Sequence, residues 1–336
     1  MVVDPKKAMI IGGDWRLPMY EGLLDKNFVR ELKADGSFNE ATFDREYNSN
    51  WEGAVEDAFF LPDKIDKCRK LNLAEKRYNK KLQGNDYYVM GVDVGRFGCS
   101  SEVVVVKVTW APTGAPIKQV VNIYSYNEEH FGMQAIQLKR LFQRYHCKCC
   151  VVDANGLGAG LVDFLVTDQT DPDTGETLYN WGVVNDEDGK YRRFQTEDTV
   201  HNAMYCMKAN QTINSDLYSY TQSQLMSSKI RFLIDENEAK AKLMKMEQYK
   251  TMTKSQQEDY LLPYVQTSIL RAQMVNLVLN QDGALLVLKQ ANSKIKKDKF
   301  SALIYAMSYC KDQEERDKRR KGNRLTDCML FTPHKR

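Results

Sequence analysis

The sequence YYVMGVDVGRFGCSSEVVVVKV, residues 87–108, contains the clearest strand signal in the chain. It predicts two strands joined by a glycine-containing turn, and both strands are almost entirely apolar. The first strand ends in one carboxylate, Asp93. A carboxylate beside a buried strand is costly to desolvate unless a cation pairs with it. The sequence therefore predicts a partner for Asp93: a metal ion, a phosphate-bound cation, or a lysine or arginine elsewhere in the chain.

The composition is that of a globular protein without extreme charge. The chain has 336 residues, 43% hydrophobic and 28% charged, with a net charge of +3. Any surface that binds nucleic acid must therefore be local. The eight cysteines follow no disulfide spacing, the first residues lack the apolar core of a signal peptide, and no apolar run approaches the roughly 18 residues of a membrane span. We expect an intracellular protein that is not secreted and has no membrane partner.

The order of the predicted elements indicates the fold. Strands are predicted over 87–94, 102–110 and 117–126, followed by a helix over 130–146, a strand at CCVVDA (149–154) and another helix. This is the order of a ribonuclease H-like α/β fold. Its mixed sheet combines a three-strand antiparallel meander with parallel strands, and helices flank it.

Three regions are expected along the chain. Residues 1–85 are predicted to be connecting structure, 86–312 the main domain and 313–336 a basic, disordered tail. Within the main domain, the pattern after the second helix predicts a helix over 197–226, a strand over 229–234, helices over 235–280 interrupted near Pro263, a strand over 283–291 and a helix from Asp298.

Three carboxylates fall at the ends of these elements. Asp93 ends the first strand, Asp153 ends the fourth and Asp298 opens the late helix. The first and fourth strands are parallel neighbours in this fold, so Asp93 and Asp153 are expected side by side at one sheet edge. Converging carboxylates repel each other, and hard divalent cations such as Mg²⁺ or Mn²⁺ relieve that repulsion. Two such ions stabilise both the attacking and the leaving oxygen of a phosphoryl displacement.

Each of these carboxylates also has a purely structural interpretation. Asp93 and Asp153 suit turns at strand ends, and Asp298 suits a helix N-cap. Asp163, in the helix after Asp153, is expected to be solvated. The segment HCKCC at 146–150 has ligand-type residues but no second pair at zinc-finger spacing, which favours a buried strand.

Several motifs resemble the nuclease domain of the DNA-packaging terminase large subunits of tailed-phage-type viruses. The segments YYVMGVDVGRFGCSSEVVVVKV, CCVVDANGLGAGLVDFLV and KIKKDKFSALIYAM look like that family's three acidic motifs. NQTINSDLYSYTQSQLMSSKIRFLI resembles the stretch before a late strand, and GGDWRLPMYEGLLDKNFVRELKADGSFNEATFDREYNSNWEGAVEDAFF is similar to the connection from the ATPase to the nuclease. The resemblance covers most of the chain.

The resemblance implies a two-metal-ion endodeoxyribonuclease that cuts double-stranded DNA with little sequence specificity during viral genome packaging. Its catalytic and metal-binding residues would be Asp93, Asp153 and Asp298, with two Mg²⁺ or Mn²⁺ ions as cofactors. The implied partners are double-stranded DNA, the portal protein, the small terminase subunit and a packaging ATPase part. The implied location is the host cell cytoplasm, transiently at the procapsid.

Two features depart from the family pattern. The phosphate-binding sequence G-x-x-x-x-G-K-[ST] is not found, so the packaging ATPase is expected in another part of a longer protein or in a separate gene product. Some relatives carry two adjacent acids at the third motif, whereas this chain has Lys297-Asp298. The role of a fourth carboxylate therefore stays open.

Cationic residues near the acidic motifs are candidates for contacts with the DNA backbone, since lysine and arginine position phosphates without reading bases. Asn155 is a candidate to orient Asp153 or a metal-bound water, or a plain turn residue. The tail segment ERDKRRKGNR (315–324) is either solvated or in contact with DNA or the portal. The cationic candidates, each of which could also be an ordinary surface residue, are Arg96, Lys294, Lys296, Lys297 and Lys299.

Three other functions remain open on the sequence alone. A Holliday-junction resolvase-like nuclease has the same core and chemistry but another substrate. An actin-like or sugar-kinase-type ATPase also opens with G-x-D-x-G, although it needs a second copy of the core. A DNA-binding scaffold would use the acidic residues only structurally and would not cleave DNA in the presence of metal.

Overall fold

Tyr87–Asp93 and Ser101–Thr109 form two central strands of an eight-stranded sheet in the computed structural model of the chain. The structure describes residues 14–25, 27–29, 58–95, 99–110, 115–127, 130–282 and 285–329. The chain divides into two compact units, 1–56 and 57–336. The described part of the first unit includes one short helix, α1 (Arg16–Tyr20), preceded by Asp14, whose carboxylate accepts a hydrogen bond from the Arg16 amide at 2.8 Å.

The second unit contains twelve described strands, eight described α-helices and a short 3-10 helix, Arg192–Phe194. The strands are β1 (Arg69–Leu71), β2 (Tyr87–Asp93), β3 (Ser101–Thr109), β4 (Ile117–Tyr126), β5 (Cys147–Asp153), β6 (Gln169–Thr170), β7 (Thr177–Leu178), β8 (Trp181–Val183), β9 (Val200–Met207), β10 (Ile230–Leu233), β11 (Leu277–Asp282) and β12 (Leu285–Gln290). The helices are α2 (Pro62–Cys68), α3 (Phe131–Tyr145), α4 (Leu157–Leu165), α5 (Gln211–Met226), α6 (Glu236–Leu243), α7 (Glu247–Lys250), α8 (Lys254–Val275) and α9 (Asp298–Met329).

The strand order of the main sheet is β1-β10-β4-β3-β2-β5-β9-β8. Strands β2, β3 and β4 form an antiparallel meander, and β5 lies parallel to β2 on the other side. Strands β9 and β8 continue the parallel half, while β10 and β1 add parallel strands next to β4. The predicted ribonuclease H-like mixed sheet, with helices on its faces, is confirmed.

The two faces of the sheet are covered by different helices. Met90 and Val92 face the apolar cluster that includes residues of α3 and α4, such as Leu138 and Leu161. Successive residues of a strand point to opposite faces, so Gly91 and Asp93 face the other side, where α9 packs against β2, β3 and β5. The side chain of Asp93 is therefore directed to the α9 face.

Gly91 permits close contact between β2 and α9. A Cβ atom at this position would lie 2.1 Å from the backbone oxygen of Ala302 and 2.5 Å from the backbone nitrogen of Ala306, both in α9. Real Cβ atoms do not come so close to backbone atoms. The absence of a side chain in the middle of β2 thus sets how near α9 lies to the strand that ends in Asp93.

Several element predictions were wrong, and tertiary packing explains why. The predicted helix over 197–226 is strand β9 followed by α5; VHNAMYCM forms a parallel strand between β5 and β8 despite its helix-forming Ala and Met. Strand β1 lies in the region 1–85 that was predicted as connecting structure, and its three residues are too few for a pattern. Helix α8 is continuous through Pro263.

The predicted start of the tail at 313 falls inside helix α9, which runs from Asp298 to Met329. Opposite charges four residues apart connect successive turns in this segment, since Arg316 pairs with Asp312 and Arg319 with Glu315. Charge density that resembles a disordered tail is equally typical of a solvated helix surface.

The cysteines of HCKCC lie in β5, where the Cys147, Cys149 and Cys150 side chains are buried and free. This arrangement supports the buried-strand interpretation of the segment. Within the part of the chain that the structure describes, no helix has the length and apolar character of a membrane span.

Candidate active site

The structure brings the three predicted carboxylates to the α9 side of one sheet edge. Strands β2 and β5 are parallel, with Val92 opposite Val152, so Asp93 and Asp153 follow at the ends of neighbouring strands. Asp298 is the first residue of α9 and lines a cavity of about 270 Å³ together with Asp93. We call Asp93, Asp153 and Asp298 the carboxylate cluster.

Electrostatic repulsion marks this cluster. The pKa of Asp93 is raised from 3.8 to about 7, first by burial and then by the negative charges of Asp298, Asp153 and Glu102, against a smaller opposing effect of Lys297. The pKa of Asp298 is also raised, chiefly by burial. A cation between these groups would remove the repulsion that the protein alone leaves in place.

The cluster fits a hard divalent cation by chemical type, because Mg²⁺ and Mn²⁺ prefer carboxylate oxygens. Among the described residues, however, no group of three or more His, Cys, Asp or Glu side chains is already arranged as a metal site. The three carboxylates are thus suitable ligands by chemical type, but their positions do not already form a coordination shell.

Asp153 is held by hydrogen bonds on both of its oxygens. Its Oδ1 accepts from the backbone nitrogen of Asn155 at 3.0 Å, and its Oδ2 accepts from the hydroxyl of Tyr305 at 3.1 Å. The side chain of Asn155 instead donates to the backbone oxygen of Ala209 at 2.9 Å. Asn155 thus contacts Asp153 through its backbone, in the turn geometry that was one of its two interpretations.

Tyr305 was not identified from the sequence. It lies in α9 seven residues after Asp298, and residues spaced by seven share a helix face. Burial and the nearby charges of Asp93 and Asp153 raise the pKa of Tyr305, so its hydroxyl stays protonated as a donor. The spacing from Asp298 was the signal that could have located it.

We expect Tyr305→Phe to raise the Mg²⁺ concentration needed for half-maximal cleavage about tenfold while the protein stays folded. The substitution removes the hydroxyl that holds Asp153 but keeps the ring that fills the space, and outer partners of metal ligands typically contribute 10–100-fold. The measurement is cleavage rate against Mg²⁺ concentration. Tyr309→Phe, one turn further along α9, is the matched control, and an equal effect in both variants would contradict the role of Tyr305.

The candidate cations lie in different environments. The side chains of Lys294 and Lys296 are exposed, with Lys296 Nζ 3.9 Å from Cys99 Sγ, and Lys297 lines the cavity beside Asp93 and Asp298. Arg96 lies outside the described residues.

The interpretation of Lys299 as a contact with the DNA backbone needs correction. Its side chain is buried, and its Nζ donates to Glu102 Oε2 at 2.6 Å. In the first turn of a helix, consecutive residues point in different directions, so a run of lysines cannot all face solvent. The ammonium of Lys299 therefore faces the interior.

Comparisons with known proteins find similarity in three-dimensional structure only. No family model matches the chain, and no curated protein matches it. The structure is similar to the large terminase nuclease from thermophilic phage G20c with bound magnesium, at 13% identity and a TM-score of 0.41, covering 76% of this chain and 98% of that one. It is also similar to the nuclease domain of the large terminase subunit of bacterial virus Sf6, at 11% identity and a TM-score of 0.42, covering 74% and 98%.

A third similar structure is the HK97 bacteriophage large terminase, at 10% identity and a TM-score of 0.38, covering 82% of this chain and 53% of that one. At these identities the likeness is one of fold. The bound magnesium belongs to the G20c protein. These similar structures are thus large terminases or their nuclease domains, from several phages.

Proposed function

We propose that the chain is a metal-dependent endonuclease that hydrolyses phosphodiester bonds of double-stranded DNA. The observation that carries the proposal is the carboxylate cluster, in which neighbouring parallel strands and a helix start bring Asp93, Asp153 and Asp298 to one edge. The raised pKa of Asp93 supports it, because a buried, repelling carboxylate is costly to the fold and useful as a metal ligand.

Asp93, Asp153 and Asp298 would hold two divalent ions, Mg²⁺ or Mn²⁺. Bound divalent ions supply positive charge that activates water and stabilises the oxygens of the scissile phosphate. The chain itself orients Asp153 through Tyr305 and the backbone of Asn155.

The exposed lysines at the start of α9 are proposed to position the DNA backbone. Lys294, Lys296 and Lys297 immediately precede Asp298, so phosphates bound there would lie beside the cluster. Contacts to phosphates carry no sequence information, which is consistent with cutting of low sequence specificity.

The motif resemblance extends this proposal to viral genome packaging in the host cell cytoplasm. A packaging ATPase part, the portal protein and the small terminase subunit would be the partners. A nuclease in such a setting would cut double-stranded DNA with little sequence specificity, and the exposed lysines suit that substrate.

The first experiment is incubation of the purified protein with supercoiled plasmid in EDTA, Mg²⁺ or Mn²⁺. We expect nicking and linearisation with either metal and none in EDTA. A four-way junction beside a linear duplex separates a general endonuclease from a junction resolvase. Failure to cleave with any metal, together with no heat of Mg²⁺ or Mn²⁺ binding by calorimetry, would refute the proposed function.

A further inference from the structure

A buried ion pair connects α9, which begins at Asp298, with β3, the strand next to the one that ends in Asp93. Lys299 follows Asp298 in the first turn of α9, and its Nζ donates to Glu102 Oε2 at 2.6 Å and to Ser125 Oγ at 2.9 Å. The pair joins residues 197 positions apart in the sequence. Both side chains of the pair are about 5% exposed, so the interaction lies in the interior rather than in solvent.

Glu102 is fully engaged by its neighbours. Its Oε1 accepts from Ser100 Oγ at 2.7 Å, and its Oε2 accepts from Ser125 Oγ at 2.6 Å as well as from Lys299. It lies on β3 directly opposite Asp93 in the antiparallel register. Residues directly opposite in neighbouring strands point to the same face, so Glu102 and Asp93 both face α9.

This arrangement gives a fixed relation between strand and helix. Apolar packing alone holds a helix against a sheet without defining its position along the sheet to a fraction of a turn. A buried and fully hydrogen-bonded charge pair has one acceptable geometry, because any shift leaves a buried charge without its partner. A shift of α9 would therefore leave Lys299, the residue that follows Asp298, as a buried charge without its partner.

We propose that Glu102 and Lys299 are positioning residues that set Asp298 against Asp93 for metal binding. The inference rests on the proposed function and deepens it. The pair also keeps Glu102 occupied: Lys299, Ser100 and Ser125 donate to both of its carboxylate oxygens, so this fourth acidic side chain near the carboxylate cluster is withheld from the metal. Although the residue beside Asp298 in the sequence is Lys297 rather than a second acid, Glu102 supplies a fourth acidic side chain near the cluster in the folded protein.

A second buried lysine–glutamate pair on the same helix provides the control. Lys118, in β4, pairs with Glu314 of α9, and both are buried. Lys118 also donates to Gln224 Oε1 at 2.8 Å, and Glu314 accepts from the Tyr220 hydroxyl at 2.9 Å. At a rise of about 1.5 Å per residue, Glu314 lies about 24 Å along α9 from Asp298, too far to position it directly.

The test compares the double variant Glu102→Gln/Lys299→Met with the double variant Lys118→Met/Glu314→Gln. Each removes one positive and one negative charge, so the net local charge is unchanged, and replacing both partners avoids the large cost of a single unpaired buried charge. Urea unfolding measures the stability of each, and calorimetry measures Mg²⁺ affinity without DNA. Plasmid cleavage at several Mg²⁺ concentrations completes the set.

We expect the Mg²⁺ dissociation constant of the Glu102/Lys299 variant to rise about 10–100-fold, with cleavage partly restored at high Mg²⁺. The Lys118/Glu314 variant should keep the wild-type dissociation constant even if its stability changes as much. Wild-type Mg²⁺ affinity in the Glu102/Lys299 variant would overturn the positioning role alone. Absence of Mg²⁺ binding and cleavage in the wild-type protein would overturn the proposed function, and the positioning role with it.

A milder variant serves if the first one does not fold. Ser125→Ala removes the hydroxyl that contacts both members of the pair and leaves their charges in place. The Mg²⁺ dissociation constant is expected to rise several-fold in this variant. An unchanged constant would count against the positioning role.

Discussion

Replacing Asp93 with asparagine is expected to lower metal-dependent DNA cleavage by about a thousandfold or more. The substitution keeps the size of the side chain and removes the charge that a divalent ion needs from the end of β2. Charge stabilisation by bound metal is worth several kcal/mol in the transition state, and each 1.36 kcal/mol is about a tenfold change in rate. The measurement is the nicking rate of supercoiled plasmid in Mg²⁺ or Mn²⁺.

The same substitution is expected to stabilise the protein when no metal is present. The folded pKa of Asp93 is about 7, above the ordinary aspartate value of 3.8. The folded state therefore binds the proton more readily, and its stability falls as pH rises from about 4 to 7. Asparagine does not ionise, so Asp93→Asn should melt at a higher temperature than wild type in EDTA at pH 8, and the difference should shrink towards pH 4. At 1.36 kcal/mol per pKa unit, the gain is on the order of a few kcal/mol.

Asp163→Asn is the matched control, since Asp163 is an exposed carboxylate on helix α4 outside the cluster. It should leave both cleavage and melting temperature near their wild-type values. Loss of cleavage in Asp93→Asn together with a lower melting temperature in EDTA would indicate a structural role for Asp93. Retained cleavage at the wild-type rate would remove Asp93 from the active site.

Gly91→Ala is expected to lower both stability and cleavage, because the new methyl group would meet the backbone of α9 rather than movable side chains. The nearest atoms are Ala302 O at 2.1 Å and Ala306 N at 2.5 Å. Overpacking of this kind typically costs about 1–3 kcal/mol, and displacement of reacting groups by about 1 Å costs about a hundredfold in rate. Since α9 carries Asp298 and Tyr305, its displacement would separate them from Asp93 and Asp153.

The measurement for Gly91→Ala is urea unfolding together with plasmid cleavage in Mg²⁺. Gly182→Ala is a suitable control, because Gly182 also lies in a strand, β8, where a Cβ would find its nearest neighbours at an ordinary 3.5 Å. Equal losses in the two variants would show that a general effect of alanine in the sheet, rather than contact with α9, explains the result.

The central fold could be predicted because its signals are local. The run VVVV in β3 and the continuous apolar run around Gly91 in β2 predict buried strands whatever lies next to them. Strand β9 could not be predicted in this way, because Ala, Met and Cys in VHNAMYCM suit a helix or a strand, and only its position between β5 and β8 decides. Strand β1 depends on an edge partner that the local sequence does not reveal.

The candidate site was predictable where strand ends fix side-chain position. Asp93 and Asp153 follow from the parallel pairing of their strands, and Asp298 from the start of a helix. The contacts around them depend on helix rotation, which sequence order does not give. Tyr305 reaches Asp153, and Lys299 turns inward to Glu102, only because α9 lies on β2 with one particular face.

The pairing of β1 with β10 has a consequence for the order in which the chain assembles its sheet and its carboxylate cluster during synthesis. Arg69 Nε donates to the backbone oxygen of Leu233 at 3.0 Å, and these residues are 164 positions apart. Pairings this distant form slowly, since a long loop must close first. Asp298 comes later still, at the start of the last described helix. A growing chain on the ribosome therefore has Asp93 and Asp153 long before it has Asp298. It can hold no complete carboxylate cluster until α9 has emerged and docked, and the proposed cutting of DNA would have to wait for that step.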